Sequence, residues 1–212
     1  MHPEILNNKQ KSLLPILRGF KKNFSLAGGT AIALQLGHRR SIDFDFFSNK
    51  PFGNLSLYNK LSKILKIEKV LIDEKDEYTF VSSGVKLTFL YYPFPVKFLI
   101  DQPDFKTADL ATLGALKAYA LGRRAKWKDY VDLYFIFKSG CSIEDVVKQA
   151  KNIFGSVFGE KNFYQQLAYF ADIDYSEEVD YLPGFAVPDR VIKQNLKKIS
   201  LETGAKILKI KS

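Results

Sequence analysis

The segment LAGGTAIALQLGHRRSIDFDFF, residues 26–47, constrains the fold more than any other part of the chain. A short apolar run ends at Gly28, Gly29 and Thr30, and the apolar spacing of residues 30–36 predicts a helix. Two glycines let the backbone approach a phosphate closely, and the N–H groups that begin a helix bind anions. We expect Gly28, Gly29 and Thr30 to hold phosphates, although the Thr30 hydroxyl serves equally well as a helix N-cap.

Two carboxylates follow that helix. Residues 42–47 predict a strand in which Asp43 and Asp45 project from the same face, because side chains alternate along a strand. Carboxylates this close repel each other unless a cation lies between them, and Mg²⁺ prefers such oxygen ligands. The segment therefore predicts a metal site beside a phosphate site, which indicates metal-assisted transfer of a nucleotide phosphate.

A glycine pair, a helix and Asp-x-Asp in this order resemble the signature of the nucleotidyltransferase superfamily. The longer segment resembles the AbiEii/AbiGii toxin family of bacterial abortive-infection and toxin–antitoxin systems. A second block, DLATLGALKAYALGRRAKWKDYVDLYFIF at residues 109–137, resembles the downstream motif of that family. The matched blocks and their spacing cover residues 24–138.

Further candidates lie in the second block. The resemblance implies that Lys117 balances phosphate charge and that Asp129 orients this lysine or helps to deprotonate the acceptor hydroxyl. Lys117 and Arg124 share one face of a helix predicted over residues 108–124, so both could contact the nucleotide. Lys128 precedes Asp129 at the start of the next predicted helix, where an acid is also favoured simply by the helix dipole.

Three basic or titratable residues connect the first helix to the acidic strand. An arginine suits a phosphate, so we expect Arg39 or Arg40 to contact one, with a solvated loop as the alternative. His38 could serve as a general base, although a lone loop histidine is more often a surface or hydrogen-bonding residue.

One departure from the superfamily pattern concerns a third carboxylate, which many nucleotidyltransferases carry on a later strand. The matching strand at residues 85–92 has no acid, and Thr88 occupies the corresponding position. Acids near it in sequence fall in predicted loops: Glu74, Asp76, Glu77 and Asp101. We therefore expect one metal to be held more easily than two.

Composition bounds the partners and the setting. The net charge of +9 favours a polyanion such as RNA or an acidic antitoxin protein, or it serves solubility alone. One cysteine, Cys141, fits a reducing cytoplasm, and two histidines with it make structural zinc improbable. No apolar run is long enough to span a bilayer.

The predicted fold class is α+β. A nucleotidyltransferase-like α/β lobe with a mixed sheet spans residues 1–105, and a helical lobe spans 106–212, with the ligand expected in the cleft between lobes. Other predicted helices cover 9–21, 55–66, 128–138, 142–154, 161–171 and 188–200, and other predicted strands cover 24–27, 68–73 and 78–82.

The resulting functional prediction is a cytoplasmic, Mg²⁺-dependent nucleotidyltransferase that uses an NTP and acts as the toxin of a toxin–antitoxin pair. A tRNA end is a candidate acceptor, as the charge and the family resemblance suggest. The alternatives are nucleotidyl transfer to a small molecule or a protein, and a degenerate module that binds a nucleotide or a partner without catalysis.

Overall fold

The computed structural model describes the backbone of residues 1–210 and the side chains of residues 1–203. The chain forms two compact units, Met1–Asp109 and Leu110–Ser212. Each unit has its own core, and each is described by itself below. In the described part of the chain, no helix combines the length and the apolar character needed to cross a membrane.

The first unit contains three α-helices and seven strands. The helices are α1 (Asn8–Leu17), α2 (Gly28–Leu36) and α3 (Asn54–Leu61). The strands are β1 (Ser25–Ala27), β2 (Phe44–Ser48), β3 (Lys69–Glu74), β4 (Glu77–Ser82), β5 (Val85–Tyr91), β6 (Ile100–Asp101) and β7 (Lys106–Thr107).

A five-stranded mixed sheet with the order β1-β2-β5-β4-β3 organises this unit. β2 and β5 are parallel, whereas the β1–β2, β5–β4 and β4–β3 pairs are antiparallel. The short β6–β7 hairpin, which the sequence pattern did not predict, forms a separate two-stranded sheet.

Strict alternation of side chains separates the two faces of the central strands. In β2, Phe44 and Phe46 are buried while Asp45 between them is partly exposed. In β5, Leu87 and Phe89 are buried, and the Phe46 and Phe89 rings stack with centroids 5.2 Å apart. The aromatic face stabilises the sheet by burial, so the polar residues of the same strands are held on the opposite face.

The second unit is helical. Its helices are α4 (Leu110–Leu121), α5 (Trp127–Lys138), α6 (Ile143–Phe154), α7 (Glu160–Ala168) and α8 (Asp189–Ile210). α6 begins with a capping box in which Ser142 and Asp145 exchange hydrogen bonds with each other's backbone N–H.

The predicted elements are present, and the differences lie at their ends. α3 ends at Leu61 instead of residue 66, and α4 ends at Leu121 instead of residue 124, followed by a turn at Gly122. α8 continues to Ile210, ten residues beyond the predicted end. Glu74 and Glu77 were expected in loops, but they are the last residue of β3 and the first of β4. Asp101 is likewise in a strand, β6, instead of a loop.

Candidate active site

Gly28 makes room for the carboxylate of Asp45. It has φ of +66°, and a Cβ built on it would lie 2.2 Å from Asp45 Oδ2. The antiparallel register of β1 and β2 pairs Ala27 with Asp45, which places the start of α2 directly beside this carboxylate. Only glycine combines this backbone conformation with this close approach.

Thr30 holds the backbone of Asp43. Its hydroxyl donates to the carbonyl oxygen of Asp43, and its Oγ1 lies 2.8 Å from Ser41 Oγ. The prediction of Thr30 as the N-cap is wrong, because Ala27 occupies the N-cap position and has no side-chain oxygen. The N-cap residue of α2 therefore provides no side-chain cap, and the N–H groups that begin a helix can bind an anion.

Asp43 precedes β2 instead of lying within it, and it contacts a lysine. Lys86 Nζ of β5 lies 2.7 Å from Asp43 Oδ2, and 33% of the Asp43 side chain is exposed. Lys86 was not among the predicted site residues. Its position two residues before Thr88 on an alternating strand was the available signal, because such residues share a face.

A row of polar side chains crosses the sheet from Asp45. Thr88 of β5 is the register partner of Asp45 and also of Thr79 on β4. The Thr79 and Thr88 hydroxyl oxygens are 3.3 Å apart, and Thr79 donates to Glu77 Oε1 at 2.9 Å. Among the described residues no cluster of three or more acidic, histidine or cysteine side chains suits a metal ion. Thr88 thus stands next to Asp45 where a third carboxylate could have stood.

The donor set of this site fits Mg²⁺. Mg²⁺ is commonly bound by one or two carboxylates together with substrate phosphates and water, so two acids are sufficient. Asp43 and Asp45 would supply these oxygens, and the missing Cβ of Gly28 leaves room for the Asp45 carboxylate. Lys86 is a competing counter-charge, since it already contacts Asp43.

The basic residues between α2 and β2 have different environments. Arg39 is only 3% exposed and donates from Nη1 to the backbone oxygen of Arg40 at 2.9 Å. The alternative of a solvated loop is therefore wrong for Arg39, while Arg40 is exposed. His38 is fully buried, so a surface position is wrong for it, while its roles as a hydrogen-bonding residue or as a general base stay predictions.

In the second unit, Lys117 is enclosed by carboxylates. Its Nζ lies 2.5 Å from Asp129 Oδ1 and 2.9 Å from Asp132 Oδ2. Asp129 and Asp132 are one helical turn apart on α5, and all three side chains are buried. Such a group tolerates burial because its charges are paired, and it fixes α4 against α5. We call Lys117, Asp129 and Asp132, with Arg124, the Lys117 cluster.

Arg124 reaches this cluster from outside the helix that was expected to carry it. Because α4 ends at Leu121, Lys117 and Arg124 do not share a helix face, and that prediction is wrong. Arg124 Nε nevertheless lies 3.3 Å from Asp129 Oδ2, with 55% of its side chain exposed. With Arg124 the cluster holds two positive and two negative charges.

Lys128 is paired with Glu177, an acid that was not among the predicted site residues. Its Nζ lies 3.4 Å from Glu177 Oε2, and Lys126 forms an ion pair with the same carboxylate. The hydrogen bond from Lys126 is the main cause that lowers the pKa of Glu177 below its ordinary value of 4.5, with a smaller contribution from Lys128. Glu177 lies far from both motif blocks in sequence, so no local pattern indicated it.

Comparison with known proteins identifies one clear relative. No family model matches the chain. Uncharacterized protein aq_aa25 of Aquifex aeolicus strain VF5 is 30% identical over 190 residues, which cover 85% of this chain and 89% of that protein. The chain belongs to the family of this Aquifex protein. Membership of the AbiEii/AbiGii family stays a prediction.

Solved structures show the fold. MenT4, a nucleotidyltransferase toxin from Mycobacterium tuberculosis H37Rv, matches with a TM-score of 0.63 and 13% identity over 91% of this chain and 81% of that one. JHP933 from Helicobacter pylori matches with a TM-score of 0.58 and 19% identity, covering 96% and 94% of the two chains. This likeness confirms the predicted α+β fold of the nucleotidyltransferase type.

Proposed function

We propose that this protein is a Mg²⁺-dependent nucleotidyltransferase that transfers a nucleotide from an NTP to an acceptor hydroxyl. One observation carries the proposal: Asp43 and Asp45 lie beside the start of α2 in a fold shared with a nucleotidyltransferase. That arrangement brings anionic metal ligands and a phosphate-binding helix end to the same place.

The candidate site residues of the first unit each have a role in this proposal. Asp43 and Asp45 hold the metal ion, and the backbone at Gly28 and Gly29 receives the phosphates. Thr30 fixes Asp43 through its backbone carbonyl, so its contribution is to position a ligand. Bound Mg²⁺ would offset the negative charge that develops on the leaving pyrophosphate. When a nucleotide binds, the Lys86 ammonium would leave the Asp43 carboxylate and contact a phosphate oxygen instead.

The basic residues complete the proposal. In the second unit, Asp129 orients the Lys117 ammonium, a role that their 2.5 Å contact supports. Arg124 and Lys128 stay the proposed nucleotide-binding residues of this unit. Of the two arginines in the loop before β2, Arg40 is better suited to a phosphate because it is exposed, whereas Arg39 is buried.

The biological role is a proposal separate from the chemistry. We infer an RNA acceptor, with a tRNA end as the first candidate, because the net charge of +9 favours a polyanion. A toxin role in the cytoplasm, controlled by an antitoxin protein, is supported by the shared fold with MenT4 and by the resemblance of both sequence blocks.

Label transfer tests the chemistry. Purified protein is incubated with each α-³²P-labelled NTP, Mg²⁺, total RNA and a cell extract, and the products are separated into RNA, protein and small molecules. We expect label in RNA with the wild type and none with the Asp43→Asn/Asp45→Asn double variant. Label in protein or in a metabolite would keep the enzyme class and replace the acceptor.

A matched variant controls for lost charge. Asp76→Asn/Glu178→Gln also removes two negative charges, at residues that have no role in the proposed site. We expect this control to transfer label like the wild type. If the wild type binds NTP but transfers no label to any fraction, the protein is a binding module and the enzymatic proposal is wrong.

Growth after induced expression tests the toxin role separately. We expect the wild type to arrest growth and Asp43→Ala/Asp45→Ala to permit it. Arrest by both proteins would assign the harm to binding instead of catalysis. Normal growth with both would leave the transferase chemistry to the labelling experiment and exclude toxicity in that host.

A further inference from the structure

The first unit has a second concave surface at the opposite end of β2 from the acid pair. This cleft has a volume of about 710 Å³ and is bordered by Ser48, the last residue of β2. Ser48 is three residues beyond Asp45, which corresponds to about 10 Å along a strand. The cleft is therefore separate from the candidate active site.

The floor of this cleft is apolar. Phe24 and Phe52 lie there with ring centroids 5.1 Å apart. Ile16 and Ile64 also line it, and they are 41% and 45% exposed. Exposed aliphatic side chains that converge on one concavity are characteristic of a surface that binds apolar groups.

The rim of the cleft is basic. Lys22, Lys50 and Lys60 line it, and no aspartate or glutamate is among its described lining residues. None of these three lysines forms an ion pair with a described residue, whereas neighbouring Lys21 pairs with Asp101 at 2.5 Å. The rim thus retains three positive charges around an apolar floor. We call this surface the basic cleft.

This combination selects the chemistry of an occupant. An amphipathic helix places apolar side chains in such a floor while carboxylates along its flanks meet the lysines. A single-stranded nucleic acid would instead need well exposed aromatic faces on which to stack. Phe20, Phe24 and Phe52 line the cleft, but each is less exposed than Ile16 and Ile64, so aliphatic groups dominate its accessible apolar surface. A second copy of this chain is disfavoured by its net charge of +9.

We propose that the basic cleft binds an acidic amphipathic segment of a partner protein, whose apolar side chains pack on Ile16, Ile64 and Phe52. The carboxylates of that segment pair with Lys22, Lys50 and Lys60. This binding does not require nucleotidyl transfer, so its test is independent of the proposed enzymatic activity.

Selection from a peptide library provides the probe. A display library of random peptides of about 16 residues, long enough for roughly four helical turns, is selected on the wild type. Binders to the Lys22→Glu/Lys50→Glu/Lys60→Glu variant are removed in each round. We expect the enriched peptides to combine apolar residues at helical spacing with a net negative charge.

Variants then locate the binding of one synthesised peptide. We expect the triple lysine variant to bind this peptide at least about tenfold more weakly than the wild type does. The affinity of the wild type for the peptide should fall as the salt concentration rises. Lys11→Glu/Lys161→Glu/Lys197→Glu makes the same charge change at exposed positions elsewhere, and affinity should change by less than about twofold. Ile16→Gln/Ile64→Gln, which changes only exposed side chains, should also weaken binding and guards against misfolding of the triple variant.

Three results would overturn the proposal. One is the absence of any peptide that distinguishes wild type from the triple lysine variant. Another is enrichment of peptides without carboxylates. The third is an oligoadenylate that binds more tightly than every selected peptide and loses its affinity in the triple variant but not in the control variant, which would make the cleft a nucleic-acid site.

Discussion

Gly28 lies against Asp45 so closely that even a methyl group would collide with the carboxylate, at 2.2 Å from Oδ2. The glycine that a sequence motif associates with phosphate binding also makes room for Asp45, which we propose as a metal ligand. Gly28 directly follows β1 and Asp45 lies in β2. The register of β1 on β2, which pairs Ala27 with Asp45, brings the two residues together.

Gly28→Ala should therefore disturb both stability and the site. The new Cβ collides with Asp45, and alanine is strained at φ of +66°. We expect a loss of roughly 2–4 kcal/mol in the free energy of unfolding, combining overpacking with backbone strain. Urea denaturation followed by circular dichroism measures it.

Gly19→Ala is the control for this substitution. A Cβ added at Gly19 would meet no other atom within 4 Å, and the residue has no positive φ. Its effect should remain within about 1 kcal/mol. Equal losses in the two variants would show that Gly28 is not constrained by Asp45.

Lys117→Met should destabilise the second unit strongly. The substitution leaves Asp129 and Asp132 buried without the ammonium that lies within 2.9 Å of both. Breaking a buried ion pair from one side costs roughly 3–5 kcal/mol. Arg124→Met removes a side chain that is 55% exposed, and it should cost less than about 1 kcal/mol. Urea denaturation measures the free energy of unfolding of both variants. A larger loss of stability in Arg124→Met than in Lys117→Met would contradict the burial of Lys117 and the exposure of Arg124.

Thr88→Asp should strengthen metal binding. Thr88 is the register partner of Asp45 and shares its face, so an aspartate there adds a carboxylate to the site. We expect roughly tenfold tighter binding of Mn²⁺, used as a spectroscopic substitute for Mg²⁺, because affinity follows the charge of the ligands. Electron paramagnetic resonance measures free Mn²⁺ during titration.

Two variants control the metal experiment. In Thr88→Asn the side chain has nearly the same shape as an aspartate but carries no charge, so this variant should bind Mn²⁺ like the wild type. Adding Asp45→Asn to Thr88→Asp should remove the gain. If Thr88→Asn strengthens binding as much as Thr88→Asp, the effect does not come from a third carboxylate.

Glu177→Gln should change how stability depends on pH. Ion pairing with Lys126 and Lys128 lowers the pKa of folded Glu177 below 4.5, so the unfolded chain binds more protons in that range. The stabilising contribution is therefore fully present above pH 4.5 and is lost as pH falls through the lower folded pKa.

The Tm of wild type and Glu177→Gln is measured at intervals between about pH 3 and pH 7. We expect a difference near neutral pH that shrinks below pH 4.5. Glu178→Gln, at an exposed position without a lysine partner among the described residues, should follow the wild type throughout. A difference for Glu177→Gln that is constant across the whole range would contradict the ion pairing.

The order of elements around the acid pair was predictable because its signals are local. Alternation in residues 44–48 separates Phe44 and Phe46 from Asp45, and Gly28 and Gly37 stand at the two ends of α2. Helix ends were less predictable. The turn at Gly122 ends α4 before Arg124. The apolar pattern of a helix indicates which face is buried, but it does not indicate where the last backbone hydrogen bond lies.

By itself the sequence determined the type and order of the α-helices and of the five strands of the main sheet, the α+β fold, and the positions of Asp43, Asp45, Lys117 and Asp129 within that order. These follow from periodicity and turn residues, which act over a few neighbours. Only the tertiary structure decided that Lys86 contacts Asp43, that Thr88 stands beside Asp45 and that Asp132 joins Lys117. Those contacts depend on strand register and helix packing, which residues distant along the chain determine together.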